Sequence, residues 1–303
     1  MSAEVTNVAA SVRARLRNVM EATGEDFQRL LERYAIERFL YRLSVSELRD
    51  SFVLKGAMLM TAWPGVAARA TRDLDLFGFG DSAPTSVADR LRRVLETEVP
   101  PDGLVFQGDD VRAAPIRETA EYGGVRVRFS ALLGKARIPV QVDVGFGDAI
   151  TPGPVEIEFP TLLGGAAPRI RAYPVETVIA EKLEAVVRLG ETNTRYKDFY
   201  DLWLLAATFD LDGPALVSAV SATFRRRGTA LAIALPIGLQ PAFFERGHER
   251  GEWRAFLTRT EISTAPADFR SVGEALRGFL GPLLTAVWGG PPLEGTWRSG
   301  AWP

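Results

Sequence analysis

The chain has no cysteine, one histidine and four lysines among its 303 residues. Without thiols it can build neither a disulfide framework nor a thiolate zinc site. A single imidazole, His248 in the polar segment ERGHERGE, cannot make a multi-histidine metal centre and is expected to face solvent. No stretch reaches the ~18 uninterrupted apolar residues of a membrane span. The opening segment MSAEVTNVAASVRARLRNVM carries charge where a secretory leader would be apolar, so the expected compartment is the cytoplasm. Arginine supplies nearly all the positive charge, as a G+C-rich coding sequence would dictate, and the net charge is only −2. The lysines, Lys55, Lys135, Lys182 and Lys197, are therefore the more informative cations. An apolar share of 47% and a charged share of 24% are ordinary for a globular protein of one large or two modest domains.

Two textures divide the chain. Apolar positions at helical spacing mark residues 8–22 and 25–42, separated by Gly24. From Phe52 to about Ile170 short apolar runs broken by Gly, Pro and Asp predict strands over 74–79, 104–116, 124–132, 138–146 and 155–159, with one helix over 86–97. That half reads as a mixed sheet with helices on one face. Pro174 opens a helical half, with helices predicted over 176–189, 197–209, 214–226, 242–257 and 267–287. The expected fold class is α/β (α+β): a mixed-sheet domain with N-terminal helices over 1–172 and a helical domain over 173–290. The Pro/Gly-rich stretch 291–303 is expected to be a poorly ordered tail, although Trp297 and Trp302 are unusual company for disorder.

Chemistry concentrates in a few places. In FVLKGAMLMTAWPGVAARATRDLDLFGFG, Asp73 and Asp75 are separated by one residue at the start of a predicted strand, so alternation aims both carboxylates to one side. Such a pair repels itself unless a cation intervenes, and magnesium takes a few carboxylates plus water and phosphate oxygens. Asp143, in the apolar run Ile138–Phe146, either completes a three-carboxylate cage or is a partly exposed edge-strand aspartate. Lys55-Gly56-Ala57 forms a turn into a helix N-terminus, suited to an anion or serving only as a connector. Arg72 could meet a phosphate or simply neutralise Asp73. On the helix 176–189, Lys182 borders an apolar stripe; on the next, Asp198 and Asp201 share a face and either could fix Lys182 or Arg195. Ordinary solvated ion pairs are the alternative there, and a solvated helix end is the expectation for Arg225-Arg226-Arg227.

The order K-G-A, R-D-L-D-L, V-D-V, E-K-L and R-x-K-D-x-x-D-L resembles the AbiEii family of nucleotidyltransferase toxins, which includes the MenT toxins, within the DNA-polymerase-β-like nucleotidyltransferase superfamily. The resemblance covers residues 50–205 well and the rest in outline. It implies that Gly56 and Ala57 form the turn of the first motif, with alanine where a serine is common, and that Lys55 and Arg72 are its flanking basic residues. Asp73 and Asp75 would be the catalytic, metal-binding acids and Asp143 the third acid. Lys182 would sit on the nucleotide phosphates, and Asp198 would be the acid of the last motif, with Asp201 as a second candidate. The implied activity is Mg²⁺-dependent transfer of NMP from an NTP to the 3′ end of tRNA, blocking translation, with a cognate antitoxin as partner. Loss of Asp73 or Lys182 would be expected to abolish activity and leave the fold intact. Rival readings are transfer to a protein hydroxyl or to a small molecule such as an antibiotic, and a non-catalytic nucleotide- or antitoxin-binding protein.

Overall fold

The computed structural model describes residues 7–66, 68–69, 71–116, 123–230, 234–298 and 300–303. The first six residues, part of the segment read for a leader, lie outside the described residues. The chain divides into two compact units: residues 1–62, 71–147 and 155–172 form one, and residues 63–70, 148–154 and 173–303 the other. The first is a mixed eight-stranded sheet with helices and the second is mostly helical.

The first unit begins with helices α1 (Val8–Thr23) and α2 (Phe27–Val45), closed at their starts by Asn7 and Asp26, whose carboxyl or amide oxygens accept from Ala10 N–H and Arg29 N–H. Then follow β1 (Phe52–Lys55), the short α3 (Gly56–Met60), β2 (Leu74–Gly78), α4 (Pro84–Leu95), β3 (Leu104–Phe106), β4 (Arg112–Ile116), β5 (Gly124–Leu133), β6 (Ala136–Phe146), β7 (Val155–Glu158) and β8 (Arg169–Ala172). The sheet order is β3-β5-β6-β2-β1-β8-β7, with β4 also paired to β5. The pairs β2–β6 and β1–β8 run parallel and the others antiparallel. The single strand expected over 104–116 is two, because the turn at Gly108–Asp110 interrupts it; Ser130 Oγ and Arg137 Nη2 both donate to Asp110 Oδ2 there, at 2.6 Å. Strand β8 was not anticipated.

Pleating sorts the side chains of the central strands. Leu54, Leu76, Val144 and Val125 form one row across β1, β2, β6 and β5, and Leu74, Val142 and Val127 another; all are buried. The intervening positions of the same strands are where the charged residues lie. The β5–β6 hairpin sets this register through a two-residue loop in which Gly134, at φ +62°, takes the left-handed first position.

Helix α2, which packs against β6 and β8, is buried nearly all round over residues 34–43 and carries charges into the core. Each is paired: Arg42 grips Asp102 at 2.6 and 3.3 Å, Glu37 meets Arg38 at 2.8 Å, and Glu37 Oε2 accepts from Leu162 N–H at 2.7 Å. Burial pushes the Glu37 carboxyl up.

The second unit holds α5 (Val175–Leu189), α6 (Tyr196–Thr208), β9 (Leu211–Asp212), α7 (Gly213–Arg226), α8 (Pro241–Glu249), α9 (Glu252–Arg259), α10 (Phe269–Val287) and β10 (Thr296–Trp297). The helix expected over 242–257 is two, broken at Gly251, which adopts φ +68°. Tyr196, Phe199, Phe243, Phe244, Trp253 and Phe269 form a contiguous aromatic core. The expected loose tail is instead docked. Trp297 is buried and donates to Ala206 O at 2.7 Å, Trp302 donates to Phe279 O at 2.9 Å, and β10 pairs with β9. Two indoles bury enough apolar area to order a segment whose Pro and Gly content argues for disorder. No helix among the described residues is long and apolar enough to cross a membrane.

Tyr34, Tyr196 and Tyr200 are held above the usual phenol range. Tyr34 is pushed up to about 12, first by burial and then by the charge of Asp102. Its preference for the neutral form stabilises the fold fully below the unfolded phenol value near 10 and is lost as pH rises through about 12. Ultraviolet titration should show Tyr34, Tyr196 and Tyr200 ionising above the usual phenol range, and loss of near-ultraviolet dichroism should accompany that phase.

Candidate active site

The first unit gathers charge in a row. Lys55 on β1, Asp75 on β2, Asp143 on β6 and Arg126 on β5 are successive cross-strand partners. One step along the strands Gln141 Nε2 donates to Asp73 Oδ1 at 3.2 Å, and Arg128 Nε donates to Gln141 Oε1 at 3.1 Å. Asp73 immediately precedes β2 and shares a face with Asp75, as the i,i+2 spacing predicts. Arg126 takes Asp143 in a two-pronged contact, Nε to Oδ1 at 2.8 Å and Nη2 to Oδ2 at 2.7 Å. These hydrogen bonds, with the fields of Asp143, Asp73 and Asp75, hold the guanidinium above its ordinary range.

Two expectations are corrected here. Asp143 is not on an edge strand, since β6 lies between β5 and β2. Nor does it complete a three-carboxylate cage in this arrangement: among the described residues no group of three His, Cys, Asp or Glu is placed to hold one ion. Both Asp143 oxygens are turned to Arg126 instead. The donor set at Asp73 and Asp75, two hard carboxylates on one face with one of them exposed, suits a divalent cation that completes its shell with water and phosphate.

The turn at Gly56 has a different logic from the one its sequence suggests. Gly56 adopts φ +71°, and a Cβ there would lie 2.1 Å from Asp75 Oδ2. Glycine is required both by the backbone and by the carboxylate packed against it. Helix α3 is only five residues long, so its dipole is small, and the methyl of Ala57 is buried. Arg72 does not neutralise Asp73; its Nε pairs with Glu32 of α2 at 3.2 Å, and the side chain is largely exposed.

In the second unit α5 and α6 bury a separate ionic cluster. Lys182 Nζ donates to Asp201 Oδ2 at 2.5 Å and to Asp198 Oδ1 at 3.4 Å. Arg69 reaches Asp201 at 3.3 and 3.4 Å, and Arg195 pairs with Asp198 at 2.8 Å. The Lys182 side chain is 11% exposed, that of Asp198 2% and that of Asp201 0%. Burial alone would depress the ammonium, but Asp201 and Asp198 outweigh it and hold Lys182 above the usual range. The solvated-face alternative is excluded, and of the two acids Asp201 makes the shorter contact. Arg225 and Arg226 are exposed as expected, but Arg227 is not a solvated helix end. It pairs with Asp148, Glu181 and Glu184 at 3.0, 2.9 and 2.8 Å.

Arg126, Gln141 and Arg69 were not singled out from the sequence. The alternation Val125-Arg126-Val127-Arg128 shows that two arginines share a face, but not which strand lies beside them.

A mixed sheet carrying a glycine turn against one member of an acid-x-acid pair, followed by a helical region, is the plan of a nucleotidyltransferase. The sequence family described as "Nucleotidyl transferase AbiEii toxin, Type IV TA system" matches residues 38–275, most of the chain. The chain belongs to that family and is a nucleotidyltransferase toxin of a toxin–antitoxin system, which implies a cognate antitoxin. No curated protein sequence matches it. Among solved structures, MenT4, a nucleotidyltransferase toxin from Mycobacterium tuberculosis, is similar at 22% identity and a TM-score of 0.47, covering 91% of this chain and 98% of that one. JHP933 from Helicobacter pylori is similar at 17% identity and a TM-score of 0.46, covering 86% and 94%.

Two substitutions separate the clusters' physical roles. Gly56→Ala should cost at least about 1–2 kcal/mol for the left-handed backbone alone, and more as Asp75 is displaced, readable in urea unfolding. Lys182→Met leaves two buried carboxylates short of a cation. It should destabilise by roughly 3 kcal/mol, the low end for breaking a buried pair because Arg69 and Arg195 remain. The expectation that Lys182 can be removed without cost to the fold is therefore revised, and a thermal melt of the variant checks it.

Proposed function

We propose that this chain transfers a nucleoside monophosphate from an NTP to an RNA hydroxyl, the 3′ end of tRNA, and thereby blocks translation. The observation that carries the catalytic part is the placement of Asp73 and Asp75 one residue apart at the start of β2, with Gly56 leaving room for the Asp75 carboxylate and Asp143 in register with Asp75 on the parallel neighbour. Mg²⁺ bound by Asp73 and Asp75 would neutralise phosphate charge and make an acceptor hydroxyl more acidic. Gln141 orients the exposed Asp73 carboxylate through its amide. Asp143, held by Arg126, would serve as third metal ligand or as the base for the acceptor hydroxyl once that contact opens.

Lys55, beside Asp75 in register, and the exposed Arg72 are the cations of this unit proposed to meet nucleotide phosphates, together with the backbone at Gly56 and Ala57. Arg72 would exchange Glu32 for phosphate, a change its exposure permits. Lys182 is proposed as the further phosphate cation, on the strength of the E-K-L motif. The Asp198 and Asp201 carboxylates would keep its ammonium charged and fixed in direction, so that it can offset charge on departing pyrophosphate without reorganisation. The RNA acceptor is supported by membership in a toxin family; a net charge of −2 supplies no independent argument for it.

The test is to incubate the protein with Mg²⁺, each α-labelled NTP in turn and total tRNA, with Asp73→Ala alongside. Label should pass to tRNA from one preferred NTP and fall at least ~100-fold in the variant, the scale of losing one electrostatic contact to a transition state. Label on the protein itself would replace tRNA by a protein hydroxyl as acceptor. No transfer to either would remove the tRNA assignment.

A further inference from the structure

Arg126 lies outside the motifs that carry the family resemblance, yet this side chain engages both oxygens of Asp143. We propose that Arg126 is an internal competitor of the metal: it holds Asp143 away from the divalent cation and so sets how tightly that cation binds. The inference rests on the reading of Asp73 and Asp75 as a metal site.

Three observations carry it. The first is register. Asp143 lies directly opposite Asp75 on a parallel neighbour, and Arg126 directly opposite Asp143 on the other side, so one carboxylate has candidate cations on both flanks. Adjacent strands lie about 4.8 Å apart, which puts the Asp143 carboxylate within reach of an ion held at Asp75. The second is saturation. The guanidinium fork engages both Asp143 oxygens, at 2.8 and 2.7 Å, and no three-carboxylate group is placed to hold an ion among the described residues. The third is that the contact can open. The Arg126 side chain is 36% exposed, against 16% for Asp143, so the arginine can turn into water while the aspartate stays. A buried arginine would be a permanent structural partner; this one is exchangeable. With the fork closed the site offers a metal two carboxylates, and with the fork open it offers three.

The consequence runs against the usual effect of removing a residue from an active site. Losing Arg126 should strengthen metal binding. The gain should be about tenfold, the lower end of what one close charge does to a carboxylate's affinity for a proton. It should also depend on Asp143. Deleting both members of the pair removes a neutral unit, and affinity should return to that of the unaltered protein.

Mn²⁺ serves as the probe, with free ion followed by electron paramagnetic resonance on the full chain without nucleotide. The expected pattern is weaker binding in Asp73→Ala, about tenfold tighter binding in Arg126→Gln, and wild-type affinity in Arg126→Gln/Asp143→Asn. Should Arg126→Gln not fold by circular dichroism, Arg126→Lys takes its place: it keeps the charge but loses the fork, and its affinity should fall between the two. Equal or weaker binding in the Arg126 variant, with Asp73→Ala still impaired, overturns the competitor role and spares the metal site. Tighter binding that persists in the double variant overturns it too, because the gain would then be a loss of general repulsion. Unchanged binding in Asp73→Ala removes the metal site itself, and this inference with it.

Discussion

Asp75 and Asp143 face each other across parallel strands in the middle of a sheet, and much of the first unit answers to that one repulsion. Like charges directly opposed on neighbouring strands are destabilising. Here the strands outside them bring Arg126 on one side and Lys55 on the other. That compensation depends on register, and register depends on the Gly134 turn: a slip of one residue would send Arg126 to the apolar face and Val127 to the charged one. It also depends on Gly56, because any side chain there would occupy the space of the Asp75 carboxylate. The opposite face bears its share as unbroken apolar rows packed into the core, so the polar face carries little of the sheet's cohesion.

The second unit treats charge in another way. Lys182, Asp198 and Asp201 are nearly sealed from solvent, and Arg227 joins two carboxylates of α5 and that of Asp148. Buried ion pairs contribute little net stability but are costly to break singly. They therefore fix geometry more than they add to stability. The charges at Asp73 and Arg126 are exposed enough to exchange partners with a ligand, whereas those around Lys182 are held by buried partners. A substitution at Asp73 thus probes chemistry, while one at Lys182 perturbs chemistry and fold together.

The broad architecture was legible because its signals are local. Period-two alternation located the central strands, helical spacing located most helices, and the i,i+2 acids at 73 and 75 could share a face only on a strand. What escaped was set by tertiary partners. Asp143 reads identically whether its neighbour is a metal, an arginine or water, and only strand order places Arg126 beside it. Strand β8, four residues long with arginine at alternate positions, gives little apolar signal. The tail was misjudged because Pro and Gly describe backbone freedom, while Trp297 and Trp302 find their hydrogen bonds and ring partners on distant helices. Arg227 looked like a capping charge and proved to be the hub of a buried network, a distinction that depends on what lies across from a helix end.

The route of the chain has a consequence for biosynthesis. The first unit is not one continuous stretch: residues 63–70 and 148–154 leave it for the second unit, and Leu54 pairs only at the end with Ala172. As the polypeptide emerges from the ribosome, the strand bearing Asp75 waits for residues 136–146 before its parallel neighbour exists, and β1 waits longer still. A prematurely terminated product ending within this span lacks part of the sheet that places the acids. The positions of the acids are therefore settled only when the chain is nearly through its first unit.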